Sequence, residues 1–123
     1  MKRLLVLLAL AAAGPALANS ACDHVANDFD GLYCLNKVYL QADADLNAAY
    51  KALVAKLDAG GRATLRQHQL QWLAERNASC SMHKDGAFYV DLDCAARVTI
   101  ERVRFLQDRG RECVSSGCMD SRL

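Results

Sequence analysis

Apolar residues recur along the chain at steps of three and four from Leu32 onward. The positions are Leu32, Leu35, Tyr39, Ala42, Leu46, Ala49 or Tyr50, Leu53 and Leu57. This spacing predicts one face of an α-helix and not a strand. Asp30 is the predicted N-cap and Gly60-Gly61 the predicted stop, which gives a helix of about 28 residues and ~42 Å at 1.5 Å per residue. Because that is long for a small domain, a kink or restart near Asp43 is also compatible with the pattern.

Two further helices are predicted, from about Arg62 to Cys80 and from about Cys94 to Arg109, where Gly110 ends the last one. Their inward positions are Leu65, Gln69, Trp72, Leu73, Arg76 and Cys80 on the second helix, and Ala95, Val98, Ile100, Val103, Phe105 and Leu106 on the third. The stretch 88–90 is a short extended candidate without a strong strand partner, so no sheet is predicted. The fold class is therefore all-α, a small helical hairpin or bundle of about three helices stapled by disulfides.

The N-terminal segment has the pattern of an export signal. Lys2-Arg3 precedes an apolar run over residues 4–13, and Ala16-Leu17-Ala18 supplies the small-x-small triplet that a signal peptidase reads. The run is shorter than the ~20 residues of a transmembrane helix. We therefore predict a periplasmic or secreted protein, with a signal peptide over 1–18 and one domain over 19–123 that ends in a cysteine-containing tail, 110–123.

The charge balance gives no support to two classes of partner. The chain has 15 Lys and Arg against 14 Asp and Glu. Removing Lys2 and Arg3 with the signal leaves 13 basic residues against 14 acidic ones, a net charge of −1 with neutral histidine. A chain so close to neutrality has no electrostatic reason to bind nucleic acid or an anionic membrane surface.

All six cysteines lie beyond the predicted cleavage point, and an even count in a short exported chain is typical of a disulfide framework. A bridge between Cys80 and Cys94 would join antiparallel helices and close a loop of about 15 residues, which contributes ~3 kcal/mol in the chain-entropy model. The simplest remaining pairs are Cys22 with Cys34 and Cys113 with Cys118. Spacing alone leaves the other connectivities open.

Metal binding and lipid attachment are not expected. Structural zinc sites usually pair ligands about two to four residues apart. Neither the cysteines nor the scattered His24, His68 and His83 form two such pairs, so no metal and no cofactor is predicted. Cys22 lacks the leucine-like residue that a lipoprotein signal carries three positions ahead, and its lipidation would leave an odd number of thiols.

Catalysis has little support in the sequence. No serine lies in a nucleophile elbow, and each cysteine has a candidate partner. Asp91 and Asp93 imitate the paired carboxylates of a glycosidase, but Asp93 immediately before Cys94 is better placed as the N-cap of the third helix. The chain is therefore predicted not to be an enzyme, and a small hydrolase built on these two acids is the least favoured alternative.

Trp72 and Arg76 lie one helical turn apart and are predicted to be structural. An inward tryptophan at helical spacing usually belongs to the core. Arg76 would then pair with an acid of a neighbouring helix. The candidate partners are Asp43, Asp45 and Glu101.

The segment between Cys80 and Cys94 has two interpretations, which are compatible. Phe88, Val90 and Leu92 alternate, so they would cover the helices as a lid, with Met82 filling a gap. The alternating positions would then face outward as an interaction surface, together with the residues at the Gly86 turn. The outward set is Tyr89, Asp91 and Asp93, with His83, Lys84 and Asp85 at the turn.

Three stretches carry a family resemblance: "ADADLNAAYKALVAKL", "LRQHQLQWLAERNASC" and "CAARVTIERVRFL". With them the chain resembles the LprI-like lysozyme-inhibitor family of small exported bacterial proteins, over about residues 22–108. The matching positions are Cys22, Cys34, Leu40, Asp45-Leu46-Asn47 and Tyr50; Leu65, Gln69, Trp72, Arg76 and Cys80; and Cys94, Thr99, Arg102 and Leu106. Of these, we expect Tyr50, Trp72, Arg76 and Arg102 to be structural.

The resemblance implies an α-helical envelope domain with bridges Cys22–Cys34 and Cys80–Cys94 and with lysozyme inhibition as its activity. The tail "RECVSSGC" adds a cysteine pair that the family pattern does not need. In a lysozyme the two catalytic carboxylates flank the scissile bond, and an inhibitor with a pre-ordered protrusion can plug that cleft. The Cys80–Cys94 loop fits this description, so its predicted partner-binding residues are His83, Lys84, Asp85 and Tyr89. The alternative is an envelope binding or structural module for another protein, such as a toxin or a different muramidase.

Overall fold

The computed structural model describes residues 22–123. Its elements are α1 (Asp28–Val54), α2 (Ala59–Ser79), β1 (Ser81–Lys84), β2 (Ala87–Val90), α3 (Leu92–Ser115) and a C-terminal 3-10 turn (Asp120–Arg122). The predicted signal peptide and its cleavage point lie outside the described residues. Across residues 22–123, none of the helices combines the length and apolar character needed to span a membrane. The all-α prediction is confirmed, apart from a small hairpin between α2 and α3.

Helices α1 and α3 run parallel to each other and form the main packed pair. Val38 of α1 shares a surface groove with Ile100 of α3, and Leu53 shares another with Gly110, so residue numbers rise together along both helices. α1 is one continuous helix through Asp43, so it does not restart there.

Helix α2 runs antiparallel to α3, as predicted for neighbours joined by Cys80 and Cys94. Two hydrogen bonds show the direction. The Arg102 side chain donates to Gln69 Oε1 at 3.0 Å, and Arg76 Nη1 donates to Thr99 Oγ1 at 3.4 Å. Residue numbers therefore fall along α2 as they rise along α3, which makes an up-down-up bundle of three helices.

The core lies along the axis of this bundle, and it combines residues of the predicted helical stripes with Leu123 from the C-terminal tail. Its buried members are Leu46, Ala49, Leu53, Leu57, Leu65, Val103, Leu106 and Leu123. Tyr50 and Trp72 pack against this cluster from its edge. Burying the apolar faces of α1 and α3 against each other holds these long helices in place, since each buried leucine contributes ~1.5–3 kcal/mol.

The corner between α1 and α2 differs from the prediction. α1 ends at Val54, and Gly60-Gly61 belong to the first turn of α2, where the side chain of Asp58 caps the helix by accepting a hydrogen bond from the Gly61 N–H at 2.9 Å. A Cβ on Gly61 would lie 2.7 Å from Asp120 Oδ1. The glycine therefore permits the C-terminal segment to approach α2 closely and does not stop α1.

The ends of α3 were also predicted wrongly. Asp91, and not Asp93, is the N-cap, because its carboxylate accepts from the Cys94 N–H at 2.9 Å. Gly110 lies inside the helix, which continues to Ser115 and brings Cys113 against the core. The helix ends just before Gly117, whose φ of +93° is the left-handed conformation usual after a helix C-terminus.

The start of α1 shows a similar shift. Asn27 is the N-cap, and its side chain accepts from the Asp30 N–H at 3.0 Å while its amide donates to Asp30 Oδ2 at 2.9 Å. Asp30, the predicted cap, therefore lies in the first turn. This reciprocal pair resembles a capping box.

The prediction of no sheet was wrong, because β1 and β2 form an antiparallel hairpin. The turn residues Asp85 and Gly86 have φ values of 52° and 75°, as a type I′ turn requires at both central positions. Below the strands, the Asp91 N–H donates to the Cys80 carbonyl at 2.8 Å. The antiparallel ends of α2 and α3 and this turn together bring the two strands into register.

All six cysteines are paired as the spacing favoured. The bridges are Cys22–Cys34, Cys80–Cys94 and Cys113–Cys118. The first ties the N-terminal segment to α1, the second closes the base of the hairpin, and the third ties the tail to the end of α3. The two pairings implied by the family resemblance are therefore present.

Candidate partner-binding site

The hairpin, defined as residues 81–90, presents two faces. Directly paired residues of an antiparallel ladder share a face, and successive pairs alternate between faces. The register pairs Met82 with Tyr89 and His83 with Phe88. The outer face therefore carries Met82, Lys84, Ala87 and Tyr89, and the inner face carries Ser81, His83, Phe88 and Val90.

The structure places the four predicted partner-binding residues on the hairpin, but at different heights and on different sides. Lys84 and Tyr89 lie together on the outer face, while His83 lies on the inner face with its ring centroid 4.8 Å from that of Phe88. Asp85 lies in the turn between the faces. A partner that covers the tip would contact His83, Lys84 and Asp85, whereas one that covers the outer face would contact Lys84 and Tyr89.

The predicted lid is not formed. Met82 is exposed on the outer face and fills no gap, and Phe88 and Val90 are also exposed. Instead of closing over the helices, the inner face borders an open cavity of about 430 Å³, here called the hairpin groove. Its lining residues are Tyr39, Arg76, Asn77, Cys80, Ser81, Phe88, Val90, Leu92 and Ala95.

Arg76 supplies the charge of the hairpin groove. Its side chain is only 9% exposed, and its guanidinium lies 3.8 Å from the carboxylate of Asp43 on α1, one of the three acids predicted as partners. It also donates to Asn77 Oδ1 at 3.1 and 3.2 Å. Arg76 thus joins α1, α2 and α3 while contributing to the groove floor.

Arginines and aromatic rings alternate on one side of the bundle. The Trp72 ring has the guanidinium carbons of Arg76 and Arg102 at 5.3 and 5.8 Å from its centroid, and the Phe105 ring has those of Arg102 and Arg109 at 4.6 and 5.5 Å. Such cation–π contacts contribute ~0.5–2 kcal/mol each, more where they are desolvated. This stack fixes the position of Arg76 next to the groove.

Arg102 is the most perturbed cation of this stack. The pKa of Arg102 is lowered from its ordinary value because the side chain is partly buried, and the negative charge of Glu75 offsets only part of this effect. Its Nη2 is buried without a hydrogen-bond partner among the described residues. Because an arginine stays protonated in proteins, the stack retains its positive charge at neutral pH.

The cysteines and Asp91, considered above for metal binding and hydrolysis, have other roles here. All six cysteines are consumed in disulfides, and within residues 22–123 no three His, Cys, Asp or Glu side chains cluster as a metal site. Asp91 accepts the capping hydrogen bond at the start of α3, so its carboxylate is engaged by the backbone.

The capping role of Asp91 gives a testable result. Asp91→Ala is expected to lower the free energy of unfolding by ~1 kcal/mol. Asp91→Asn is expected to change the free energy of unfolding much less, since Asn is an equally good N-cap. Thermal unfolding of the two variants beside the parent chain measures this difference. Equal losses in both variants would contradict the capping role.

Tyr39 and Asn77 are site residues that the sequence did not single out. Tyr39 falls on the inward stripe of α1, but only the fold brings it to the same groove as Phe88 of the hairpin. Asn77 follows Arg76 by one position, and its amide oxygen holds that guanidinium. The signal for the hairpin itself was Asp85-Gly86, the strongest short-range indicator of a type I′ turn.

Comparison with known families gives a match to lysozyme inhibitor LprI over residues 20–106. The chain belongs to this family. The matched region contains α1, α2, the hairpin and most of α3, and it leaves the Cys113–Cys118 bridge and Leu123 outside. No curated protein and no solved structure matches the chain. LprI is an inhibitor family and not an enzyme family, so membership implies a protein partner.

Proposed function

We propose that this LprI-family protein inhibits a lysozyme by inserting its hairpin into the substrate cleft of the enzyme. The observation that carries the proposal is the exposure of a disulfide-closed hairpin: Met82, Phe88, Tyr89 and Val90 are 61%, 59%, 52% and 53% exposed. Exposed apolar groups clustered on one protrusion are typical of a surface that binds another protein. The three disulfides favour an oxidising compartment, so we place the mature chain in the cell envelope or outside the cell.

The hairpin is suited to this role because it is ordered before binding. The Cys80–Cys94 bridge and the Asp91–Cys80 backbone hydrogen bond hold its base, and the Asp85-Gly86 turn holds its tip. Ordering a loop on association costs affinity, and a segment that is already ordered avoids that cost. A four-residue strand spans ~13 Å at 3.3 Å per residue, which is enough to reach into a cleft.

The chemistry of the hairpin also fits a glycosidase cleft. A lysozyme holds one protonated and one ionised carboxylate on either side of the scissile bond. The Lys84 ammonium and the Tyr89 hydroxyl are exposed donors on the outer face, and the His83 ring is a third donor on the inner face. Asp85 and Asp91 would attract a basic lysozyme to this end of the molecule and speed the encounter.

The experiment that tests the function is a titration of the purified, oxidised mature chain into a peptidoglycan-lysis assay with c-type, g-type and i-type lysozymes. We expect saturable inhibition of at least one class. Absence of inhibition in all three classes, with three disulfides confirmed by mass, would contradict the proposal and favour a different envelope partner.

Replacing two hairpin residues is expected to separate binding from folding. Lys84→Ala/Tyr89→Ala should raise the inhibition constant by about 10- to 100-fold, because central aromatic and cationic contacts dominate interface energies. The melting temperature should stay within a few degrees, since both side chains are exposed. The matched control is Lys51→Ala/Leu70→Ala, which truncates exposed residues of α1 and α2 and should leave the inhibition constant unchanged. Equal inhibition by both double variants would show that the surface that contacts the lysozyme does not include Lys84 and Tyr89.

A further inference from the structure

The hairpin groove has the composition of a binding site for a charged small molecule. Its volume of about 430 Å³ lies in the range of ligand sites, ~300–1,000 Å³. Its walls are formed by Tyr39, Phe88, Val90 and Leu92, and its lining includes one cation, Arg76. No carboxylate is among the lining residues drawn from residues 22–123.

The positive charge of Arg76 is only partly neutralised by the protein. Among residues 22–123, the carboxylate that pairs with it is that of Asp43, which lies 3.8 Å away, is 43% exposed to water and is not part of the groove lining. The nearer acceptors are neutral: the Asn77 amide oxygen at 3.1 and 3.2 Å and the Thr99 hydroxyl at 3.4 Å. A guanidinium has five N–H donors, and these hydrogen bonds engage three of them, which leaves two for a ligand.

The neighbouring cation strengthens the positive potential at this point. Arg102 contacts the same Trp72 ring as Arg76, and its Nη2 has no hydrogen-bond partner within the described part of the chain. Charges in such a partly desolvated position are screened less by salt than surface charges are. An anion bound at Arg76 would therefore be stabilised by both arginines.

We propose that the hairpin groove binds a small apolar monocarboxylate. The carboxylate accepts hydrogen bonds from the Arg76 guanidinium at the floor, and the apolar body packs between Tyr39 of α1 and the inner face of the hairpin at Phe88 and Val90. Arginine is well suited to a carboxylate because its planar fork donates two parallel hydrogen bonds. The site is distinct from the outer face on which Lys84 and Tyr89 lie.

The probe for this site is 4-phenylbutanoate, compared with 4-phenylbutan-1-ol, which has the same apolar body without the charge. Binding to the oxidised mature chain is followed by NMR at the methyl groups of Val90 and Leu92. We expect saturable shifts with the acid and at least about tenfold weaker binding of the alcohol, because a charge-assisted hydrogen bond is lost. Equal affinity of acid and alcohol, or no saturable shift with the acid, would overturn the proposal.

Two variants of the hairpin locate the site without disturbing the core. Val90→Glu places a negative charge on the groove wall, and Met82→Glu places the same charge on the outer face; both positions are exposed. Val90→Glu should weaken binding of 4-phenylbutanoate by about tenfold or more, and Met82→Glu should change it less than twofold. An equal effect of the two substitutions would show that the acid binds elsewhere.

Discussion

The double variant Cys80→Ala/Cys94→Ala is expected to lose ~3 kcal/mol of folding free energy and to fail as an inhibitor. The bridge spans a sequence separation of 14 residues, and in the chain-entropy model its loss frees a loop of that size in the unfolded state. For a domain of this size the melting temperature should fall by roughly 12–24 °C. Inhibition should be lost at temperatures where the variant is still folded, because the base of the hairpin is no longer closed.

The matched control is Cys113→Ala/Cys118→Ala, which removes a bridge of sequence separation 5 at the other end of α3. Its shorter loop predicts a smaller loss of ~2 kcal/mol. Inhibition should be retained, since this bridge lies outside the hairpin. Thermal unfolding and the lysis assay measure both properties. Retained inhibition in the hairpin variant, or its loss in the tail variant, would contradict the role given to the hairpin.

Leu106→Ala is expected to destabilise the fold about as strongly as the loss of the Cys80–Cys94 bridge. Leu106 lies on α3 between α1 and α2 with 0% of its surface exposed. Truncating a fully buried leucine removes its transfer free energy and leaves a cavity, which costs ~2–5 kcal/mol. The control is Leu70→Ala on α2, where the same change at a side chain that is 58% exposed should cost no more than ~0.5 kcal/mol.

Denaturant unfolding of these two leucine variants gives the free energies directly. A difference of ~2 kcal/mol or more between them is the expected result. A similar loss of folding free energy at both positions would contradict the burial of Leu106 in the core. Because Leu106 lies far from the hairpin, the folded fraction of either variant should still inhibit a lysozyme.

The helical part of this fold could be predicted from the sequence because its signal is local. Leu46, Leu53 and Leu57 repeat at helical spacing, and Trp72 and Arg76 repeat the same step on α2. The cysteine pairs could also be predicted from the sequence, since Cys80 and Cys94 lie at the facing ends of two predicted antiparallel helices. These patterns require no knowledge of how distant segments pack.

Errors arose where a local signal had two meanings. Gly60-Gly61 was interpreted as a helix stop, but Gly61 is needed for the close approach of Asp120, a contact that only tertiary packing creates. Gly110 was interpreted in the same way, although the buried stripe of α3 continues past it to Cys113. Tertiary burial outweighed the weak helix propensity of these glycines.

The hairpin was missed because its strands are short and because nothing in residues 22–123 packs over its outer face. Its sequence therefore lacks the apolar–polar alternation of a half-buried strand. Two four-residue strands give little periodicity, and Asp85-Gly86 was taken as a turn without the pairing that follows from it. The hairpin groove could not be predicted at all, since its lining combines Tyr39 and Phe88, which lie far apart in the sequence.

Backbone hydrogen exchange of the chain in complex with a lysozyme that it inhibits tests the central claim most directly. We predict slower exchange across residues 81–90 than in the free chain, with no change in the α1–α3 groove at Leu53 and Gly110. Slower exchange confined to the helices, with the hairpin amides unchanged, would contradict the account. That result would place the inhibitory surface on the bundle.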